Sequence, residues 1–343
     1  AHERRPRHQK LRIGYLSPDL RFHVVAFFSY ALLKSYDRHA FTVYAYAANE
    51  EDGASREFAQ SVDVWRSVRL LSPKEIARQI HEDEIDILFD LSGHTANNCL
   101  PVLAYRPAPV QISGIGWFDS TGLPAVDAFL VDAYTDPPGL NEAYFTERLL
   151  RLPQSHFCYM WHDRPSAVGA PACLENGYVT FGCFNNFAKV TEEMLGLWAR
   201  ILARVPQSRL YLKAAIFNTE DGCVRVRARL RRAGIAAERV RFGRQEPEYL
   251  DAYHSVDIAL DTYPYPGGGT TCDALYMGVP VVTRVGKRHN ARFGYSLLMN
   301  LGLPELCAAS PEAYVEKAVA LAEDRERLIT YHLTLRRRMR ESP

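Results

Sequence analysis

Residues 260–280 read L-D-T-Y-P-Y-P-G-G-G-T-T-C-D-A-L-Y-M-G-V-P. An apolar strand ends at Asp261, a loop rich in proline and glycine follows, and a helix begins around residues 270–273. Glycines let a backbone approach a ligand closely, and the unpaired amides of a helix N-terminus attract anions. The stretch therefore predicts an α/β unit whose loop binds a diphosphate.

Three kinds of group in this loop suit a phosphate. Glycines permit close approach, threonines supply hydroxyls, and the first helical turn supplies amides at its positive end. An acidic residue one turn further on suits ribose hydroxyls. The residues concerned are Gly267, Gly268, Gly269, Thr270, Thr271 and, for the ribose, Asp273. A plain glycine-rich turn capped by threonine is the alternative, and the missing Gly-Lys-Ser/Thr ending excludes a Walker loop.

The rest of the chain repeats the alternation of short apolar strands with helical stretches, which is typical of parallel sheets with crossover helices. The first half has candidate strands at 11–16, 41–46, 85–91, 110–115 and 128–131, and helical patterns at 24–36 and 73–81. The second half has candidate strands at 178–184, 210–214, 240–242, 258–260 and 279–283, and closing helices at 311–340. We therefore predict an α/β protein with two parallel sheets.

The clearest single helix follows Val190. Its apolar residues recur at i, i+3, i+4, i+7, i+8 and i+11 from Met194 to Val205, and Thr191 is placed to cap it. Residues 153–176 have several prolines and no periodicity, which predicts a linker. The predicted organisation is a basic extension at 1–10, one lobe at 11–152, the linker at 153–176 and a second lobe at 177–343.

Composition excludes several classes of protein. The 343 residues include 41 Lys+Arg and 40 Asp+Glu, so the formal charge of +1 gives no support for nucleic-acid binding. No apolar run approaches the roughly 20 residues of a bilayer span, and no secretory signal precedes residue 11. Seven cysteines without paired C-x-x-C spacing indicate reduced thiols, so we predict a cytoplasmic protein without membrane partners.

Two further motifs bear on a phosphate site. Asn185, Asn186 and Lys189 lie between a strand and the next helix, where open α/β sheets bind ligands, and a lysine there can neutralise charge on a leaving phosphate. A solvated loop lysine is the alternative. The arginine-rich run at 225–232 is interpreted as a solvated helix face, with anion, partner or nucleic-acid binding as the alternative.

In the first half, His23 follows the first strand and His94 the third, so both should lie at the same sheet edge. A loop containing Thr121 follows the next strand and can line a sugar or acceptor site. Structural histidines and a plain turn are the alternatives. No His/Asp/Cys spacing suits a metal, and neither a G-x-S-x-G elbow nor an early G-x-G-x-x-G is present.

Several motifs together resemble the catalytic region of protein O-GlcNAc transferases, with the wording nearest the SPINDLY-type branch. They are L-R-I-G-Y-L-S-P-D at 11–19, L-S-G-H-T-A-N-N at 91–98, R-P-A-P-V-Q at 106–111, T-F-G-C-F-N-N-F-A-K-V-T at 180–191 and the 260–280 stretch. The resemblance implies a GT-B fold of two Rossmann-like lobes. It also implies an inverting, metal-independent transfer of a sugar from a nucleotide sugar to Ser or Thr hydroxyls of a protein or peptide acceptor.

The resemblance also implies roles for single residues. His23 matches the active-site histidine, either a base or a contact to sugar and acceptor, and Lys189 matches the lysine on the diphosphate. Asn186 matches a nucleotide contact, while Thr270 and Thr271 fall in the phosphate-binding turn. The remaining matches are Asp273 to the ribose-binding acid, and His94 and Thr95 to the sugar pocket.

The sequence departs from the family in three places. Residues 116–119 read G-W-F-D where a tyrosine and proline are usual, Tyr249 replaces a common histidine, and the tetratricopeptide repeats expected in the family are absent from these 343 residues. No cofactor is implied. The donor is predicted as UDP-GlcNAc, with GDP-fucose, the donor of plant SPINDLY-type members, as the alternative. A non-catalytic module that keeps the fold is a further alternative.

Overall fold

The computed structural model describes residues 8–160, 166–246 and 249–343. The chain divides into two compact units, Ala1–Asp163 and Arg164–Pro343. Of the predicted basic extension, residues 1–7 lie outside the described residues, and His8 contacts Glu84 and Asp86.

The described part of the first unit contains a seven-stranded parallel sheet in the order β3-β2-β1-β4-β5-β6-β7. Its strands are β1 (Leu11–Ser17), β2 (Phe41–Ala47), β3 (Val64–Ser67), β4 (Ile87–Asp90), β5 (Val110–Ser113), β6 (Ala128–Asp132) and β7 (Arg148–Leu152). Its helices are α1 (Val24–Lys34), α2 (Gly53–Ser61), α3 (Pro73–Glu82) and α4 (Leu100–Leu103).

The described part of the second unit contains a six-stranded parallel sheet in the order β10-β9-β8-β11-β12-β13. Its strands are β8 (Thr180–Cys183), β9 (Arg209–Lys213), β10 (Val240–Gly243), β11 (Ile258–Leu260), β12 (Val281–Arg284) and β13 (Cys307–Ala308). Its helices are α5 (Cys173–Asn176), α6 (Glu192–Arg204), α7 (Glu220–Arg232), α8 (Gly269–Tyr276), α9 (Phe293–Asn300), α10 (Pro311–Glu323) and α11 (Arg325–Glu341).

Both sheets reverse their winding at one point. The chain builds outward from β1 to β3 and then returns to place β4 on the other side of β1, and β11 stands in the same relation to β8. Ligands of open α/β sheets bind beyond the carboxyl ends of the strands at such a switch point. The predicted α/β class with two parallel sheets is confirmed, and the motifs flagged in the sequence follow the two strands at each switch point.

Two buried aromatic residues hold the backbone at the second switch point. Trp198 of α6 is fully buried, and its indole N–H donates to the Tyr314 hydroxyl at 3.3 Å. That hydroxyl in turn donates to the backbone carbonyl of Asp261 at 2.9 Å. Because the Tyr314 ring is also fully buried on α10, two helices hold the residue at which the diphosphate loop begins.

Sequence reasoning missed three strands and four helices. The missed strands are β3, β7 and β13, and the missed helices are α2, α4, α5 and α9. Strand β7 lies at the sheet edge with its first, third and fifth residues exposed, so its sequence R-L-L-R-L lacks the apolar run of a buried strand. The predicted linker at 153–176 includes helix α5 and the buried His156.

No helix among residues 8–160, 166–246 and 249–343 is both long enough and apolar enough to span a bilayer.

Candidate active site

Asp261 organises the loop that follows β11. Its carboxylate is 2% exposed and accepts the amide of Gly267 at 2.7 Å, the amide of Thr262 at 2.9 Å and the hydroxyl of Thr283 at 2.8 Å. Burial raises the pKa of Asp261, while these hydrogen bonds and the charge of Lys189 oppose the rise. A single carboxylate thus folds the proline-rich stretch back toward the sheet.

Gly267 is the glycine that this loop requires. A Cβ atom there would lie 2.7 Å from the hydroxyl oxygens of both Thr270 and Thr271. Helix α8 begins at Gly269, and its N-cap residue Gly268 provides no side-chain hydrogen bond to the first turn. The first-turn amides therefore keep their donors for an anion, as the sequence predicts for a phosphate site.

Lys189 lies beside the same loop. Its ammonium group donates to the carbonyl of Pro266 at 3.1 Å and lies 3.8 Å from the centre of the Tyr265 ring. Burial lowers the pKa of Lys189, and the negative charge of Asp261 opposes the decrease. A cation held by one carbonyl and one ring face, rather than by a carboxylate contact, retains N–H donors for a ligand phosphate.

The two asparagines that precede Lys189 have different roles. Asn185 is 6% exposed, accepts the Thr270 hydroxyl at 2.8 Å and donates to Asp261 at 3.3 Å, so it is part of the loop framework. Asn186 is exposed, and its side chain accepts the amide of Ala188 at 3.0 Å. The sequence predicted a nucleotide contact at Asn186. The residue that connects the turn before Lys189 to the diphosphate loop is its neighbour Asn185.

The hydroxyls and the acid of α8 are already oriented. The Thr271 hydroxyl donates to the carbonyl of Gly267 at 3.0 Å, so its hydrogen is already used within the turn. Asp273 is 4% exposed and accepts the hydroxyl of Tyr249 at 2.9 Å. Tyr249, noted in the sequence only as a departure from the family, therefore fixes the rotamer of the predicted ribose acid.

In the first unit, Asp90 at the end of β4 has the role that Asp261 has in the second. Its buried carboxylate accepts the Ser92 hydroxyl at 2.6 Å, the Gly93 amide at 2.9 Å and the Ser113 hydroxyl at 2.7 Å. Since β4 and β11 occupy equivalent places in their sheets, each switch-point loop is held by a carboxylate at or just after the carboxyl end of the strand before it.

His23 is the N-cap of α1. Its Nδ1 accepts the amide of Val25 at 3.3 Å and lies 3.6 Å from the Asp19 carboxylate. Burial lowers the pKa of His23, an effect that Asp19 opposes and Arg21 reinforces. Because a neutral imidazole carries one hydrogen, an Nδ1 that accepts a hydrogen bond places that hydrogen on Nε2.

His94 is positioned by a backbone carbonyl. Its Nε2–H donates to the carbonyl of Thr121 at 2.8 Å, and the residue is exposed. The Trp117 ring meets the His94 ring edge-on at a centroid distance of 5.5 Å. Trp117 also covers Gly93, where a Cβ atom would lie 2.2 Å from the tryptophan Cβ.

The threonines predicted to line the sugar pocket use their hydroxyls internally. Thr121 is 3% exposed, and both its amide and its hydroxyl donate to the buried carboxylate of Glu147. The Thr95 hydroxyl donates to the carbonyl of Ser92 at 2.9 Å. Thr121 thus positions His94 through its backbone carbonyl. Glu147 directly precedes the edge strand β7, and no pattern in the sequence indicated its role.

The close approach of two backbones beside His94 makes a testable prediction. A Cβ atom at Gly116 would lie 1.8 Å from the carbonyl oxygen of Leu91, so Gly116→Ala must displace one of the two loops. We expect a loss of unfolding free energy of about 1–3 kcal/mol, measured by urea denaturation.

The matched control is Gly196→Ala. A Cβ atom there meets nothing within 4 Å on helix α6, so the control should gain about 0.4–1 kcal/mol. Equal stability of the two variants would show that the contact between residues 116 and 91 relaxes without cost.

No group of three or more His, Cys, Asp or Glu side chains in the described part of the chain is arranged to hold a metal ion.

Comparison with known proteins identifies the family. The chain matches the model described as Glycosyl transferase family 41 over residues 1–163 and 170–343. SPINDLY of Petunia hybrida, named a probable UDP-N-acetylglucosamine–peptide N-acetylglucosaminyltransferase, is 41% identical over 343 residues, 98% of this chain and 37% of that protein. SPINDLY of Arabidopsis thaliana, with the same naming, is 41% identical over 97% of this chain and 37% of its own length.

A solved structure agrees with the sequence comparison. A point variant of the O-GlcNAc transferase of Thermobaculum terrenum superposes with a TM-score of 0.92 at 36% identity, over 97% of this chain and 64% of that one. Two parallel Rossmann-like sheets with a phosphate-type loop at the second switch point are the GT-B fold, as predicted. The chain belongs to glycosyltransferase family 41, and the resemblance to the SPINDLY-type branch is confirmed.

Proposed function

We propose that this chain carries an inverting, metal-independent protein glycosyltransferase that moves GlcNAc from UDP-GlcNAc to Ser or Thr hydroxyls. Membership of family 41 and the names of the SPINDLY relatives support the reaction class and the donor. The chain covers 37% of the Petunia relative, so the acceptor proteins of the whole protein belong to the same proposal. In it, the lobe at 177–343 binds the nucleotide sugar and the lobe at 11–152 binds sugar and acceptor.

The observation that carries the proposal is the cation beside the diphosphate loop. Sugar transfer from a nucleotide sugar leaves a diphosphate, and the negative charge that grows on it must be stabilised. The Lys189 ammonium group and the uncapped first turn of α8 supply that stabilisation from the protein. A divalent cation is therefore unnecessary for the leaving group.

The hydrogen bonding of His23 favours one of its two predicted roles. A general base needs a lone pair directed at the acceptor hydroxyl, but the Nδ1 lone pair of His23 accepts the Val25 amide. The remaining Nε2–H is a donor, so we propose that His23 orients the acceptor or sugar. The hydroxyl proton then passes to a phosphate oxygen of the donor.

The test is a transfer assay with a pool of Ser/Thr peptides, read by mass spectrometry. UDP-GlcNAc and GDP-fucose are supplied separately, each with and without EDTA. We expect HexNAc addition from UDP-GlcNAc at a rate that EDTA does not change. Deoxyhexose addition only from GDP-fucose would keep the reaction class and overturn the donor, while a rate abolished by EDTA would overturn metal independence.

A non-catalytic module is the second candidate, and the Trp117–Phe118 pair favours it. The two ring centroids lie 4.3 Å apart beside His94, with the ring planes tilted by 30°, and the pair adds bulk near the expected sugar. Thermal unfolding with UDP distinguishes the candidates, because a ligand at 100 times its Kd stabilises by about 2.7 kcal/mol. Stabilisation by UDP without any turnover supports the module, and no stabilisation by either UDP or GDP overturns both candidates.

The Tyr249–Asp273 hydrogen bond yields a prediction for donor binding. Tyr249→Phe removes the bond to the proposed ribose acid, and a hydrogen bond to a charged group contributes about 1.5–3 kcal/mol. We expect the Kd of UDP to rise roughly 10-fold, measured by calorimetry. Tyr105→Phe, at an exposed ring in the first unit, is the control; an unchanged Kd in both variants would remove Asp273 from the ribose site.

A further inference from the structure

A second cavity in the nucleotide-binding unit lies away from the diphosphate loop. Its volume is about 190 Å³, and its lining includes Tyr178, Thr180, Arg209, Tyr211, Arg241 and Ser255. Thr180 and Arg209 are the first residues of β8 and β9, whereas Lys189 and the diphosphate loop follow the carboxyl ends of β8 and β11. The strands are parallel, so this cavity, the arginine cavity, opens toward the other end of the sheet.

Strand register places the polar side chains on one face. Thr180 pairs with Arg209, and Arg241 pairs with Tyr211. Residues 209 and 211 are two apart on β9, and side chains two apart in a strand point to the same face. The side chains of Arg209 and Arg241 therefore lie on the same face of two neighbouring strands.

Each of these arginines lies over the ring of a tyrosine. The Arg209 guanidinium carbon is 4.6 Å from the centre of the Tyr178 ring, and that of Arg241 is 4.4 Å from the centre of the Tyr211 ring. A ring below a guanidinium fixes its plane but leaves the N–H groups at its edge free to donate. The two guanidinium groups thus supply two sets of N–H donors, each set arranged as a fork, to the cavity.

Neither fork has an acceptor within the described residues. Other arginines of this unit pair with carboxylates: Arg229 with Glu192, Arg284 with Glu193 and Arg204 with Glu316. Among residues 166–246 and 249–343, no carboxylate lies within 4 Å of Arg209 or Arg241, and neither guanidinium donates a hydrogen bond. The cavity lining has two positive charges and no acidic side chain.

The chemistry of the lining selects a phosphate. A carboxylate has two oxygens and satisfies one bidentate fork, whereas a phosphate monoester has three terminal oxygens and can accept from two forks. The hydroxyls of Thr180 and Ser255 add further donors. Pockets for drug-sized ligands measure roughly 300–1,000 Å³, so this smaller cavity suits a small phosphate monoester rather than a nucleotide.

We propose that the arginine cavity is a binding site for a small phosphate monoester, held by Arg209 and Arg241 and independent of the diphosphate loop. Binding is electrostatic and bidentate, so it weakens as ionic strength rises. Nothing in this site requires the glycosyl-transfer reaction to occur.

The experiment titrates glycerol 3-phosphate into the full chain by calorimetry. All samples carry Lys189→Met, which removes the ammonium group from the diphosphate loop and so separates the two anion sites. We expect binding to persist in that background and to weaken at least 10-fold when either Arg209→Gln or Arg241→Gln is added. Arg225→Gln is the charge-matched control, because Arg225 is exposed on α7 and pairs with Asp221.

Each outcome decides the proposal. Loss of affinity in both arginine variants but not in Arg225→Gln supports it, provided that the thermal midpoints agree. Equal affinity in all three variants, or no binding in the Lys189→Met background, overturns the site. Tighter binding of inorganic phosphate, or of a phosphoserine peptide, than of glycerol 3-phosphate overturns the ligand class. As a readout on the unmodified chain, the Nε–H resonances of Arg209 and Arg241 should shift during the titration, and unshifted resonances oppose the proposal.

Discussion

Lys189→Met is expected to reduce the turnover number for sugar transfer roughly 10²–10³-fold, the effect of removing one preorganised charge from a developing anion. Methionine keeps an unbranched side chain against the Tyr265 ring and removes the ammonium group. The loss should fall mainly on kcat, because the diphosphate gains charge in the transition state. Steady-state kinetics with UDP-GlcNAc and a peptide acceptor measure it.

Lys74→Met is the control for that experiment, since Lys74 is an exposed residue of α3 in the other unit. It should transfer sugar at the unmodified rate. A Lys189→Met enzyme that retains more than about a third of its kcat would assign the leaving-group charge to the α8 N-terminus alone.

The second large effect concerns His23, where two substitutions separate chemistry from folding. His23→Asn removes the imidazole and retains a good N-cap, whereas His23→Ala removes both. Because the proposed role of His23 is to orient the acceptor or sugar, we expect transfer to fall roughly 10²-fold in each variant. Only the alanine variant should also lose about 1 kcal/mol of unfolding free energy, a decrease of about 2–4 °C in Tm.

The pH dependence of the unmodified rate provides an independent check on His23. Burial lowers the pKa of this imidazole below the ordinary value of 6.5, so the neutral ring persists below that pH. Protonation of Nδ1 replaces the acceptor of the Val25 amide with a donor, which disrupts the cap. The midpoint of the acid limb of the rate should therefore lie below pH 6.5. An acid limb that survives in His23→Asn would belong to another group.

Local signals in the sequence predicted the parts of the fold that local physics controls. Helix α6 is an example: its apolar periodicity and the Thr191 cap predicted a helix that the structure places at Glu192–Arg204. The loop after β11 is another, because glycines and prolines restrict the backbone wherever the chain folds. Both predictions needed only neighbours within a few residues.

Contacts distant in sequence decided the rest. Asn185 and Asn186 are chemically identical, yet only Asn185 meets Thr270 and Asp261, 85 and 76 residues away. Strand β13 has two residues and exists because it pairs with β12. No window of sequence contains both partners of such a contact, so these features had no local signal.

The sequence alone determined that the chain forms two parallel α/β units with polar motifs after their strands, because hydrophobic patterning and glycine placement mark strands and turns locally. The tertiary structure decided which polar atoms remain available for a substrate. The Thr121 hydroxyl is bonded to Glu147, and the Nδ1 of His23 accepts a backbone amide. Within the described parts of the chain, the Lys189 ammonium group has one carbonyl acceptor. The reason is that a buried polar atom must find a partner, and folding alone brings that partner within reach.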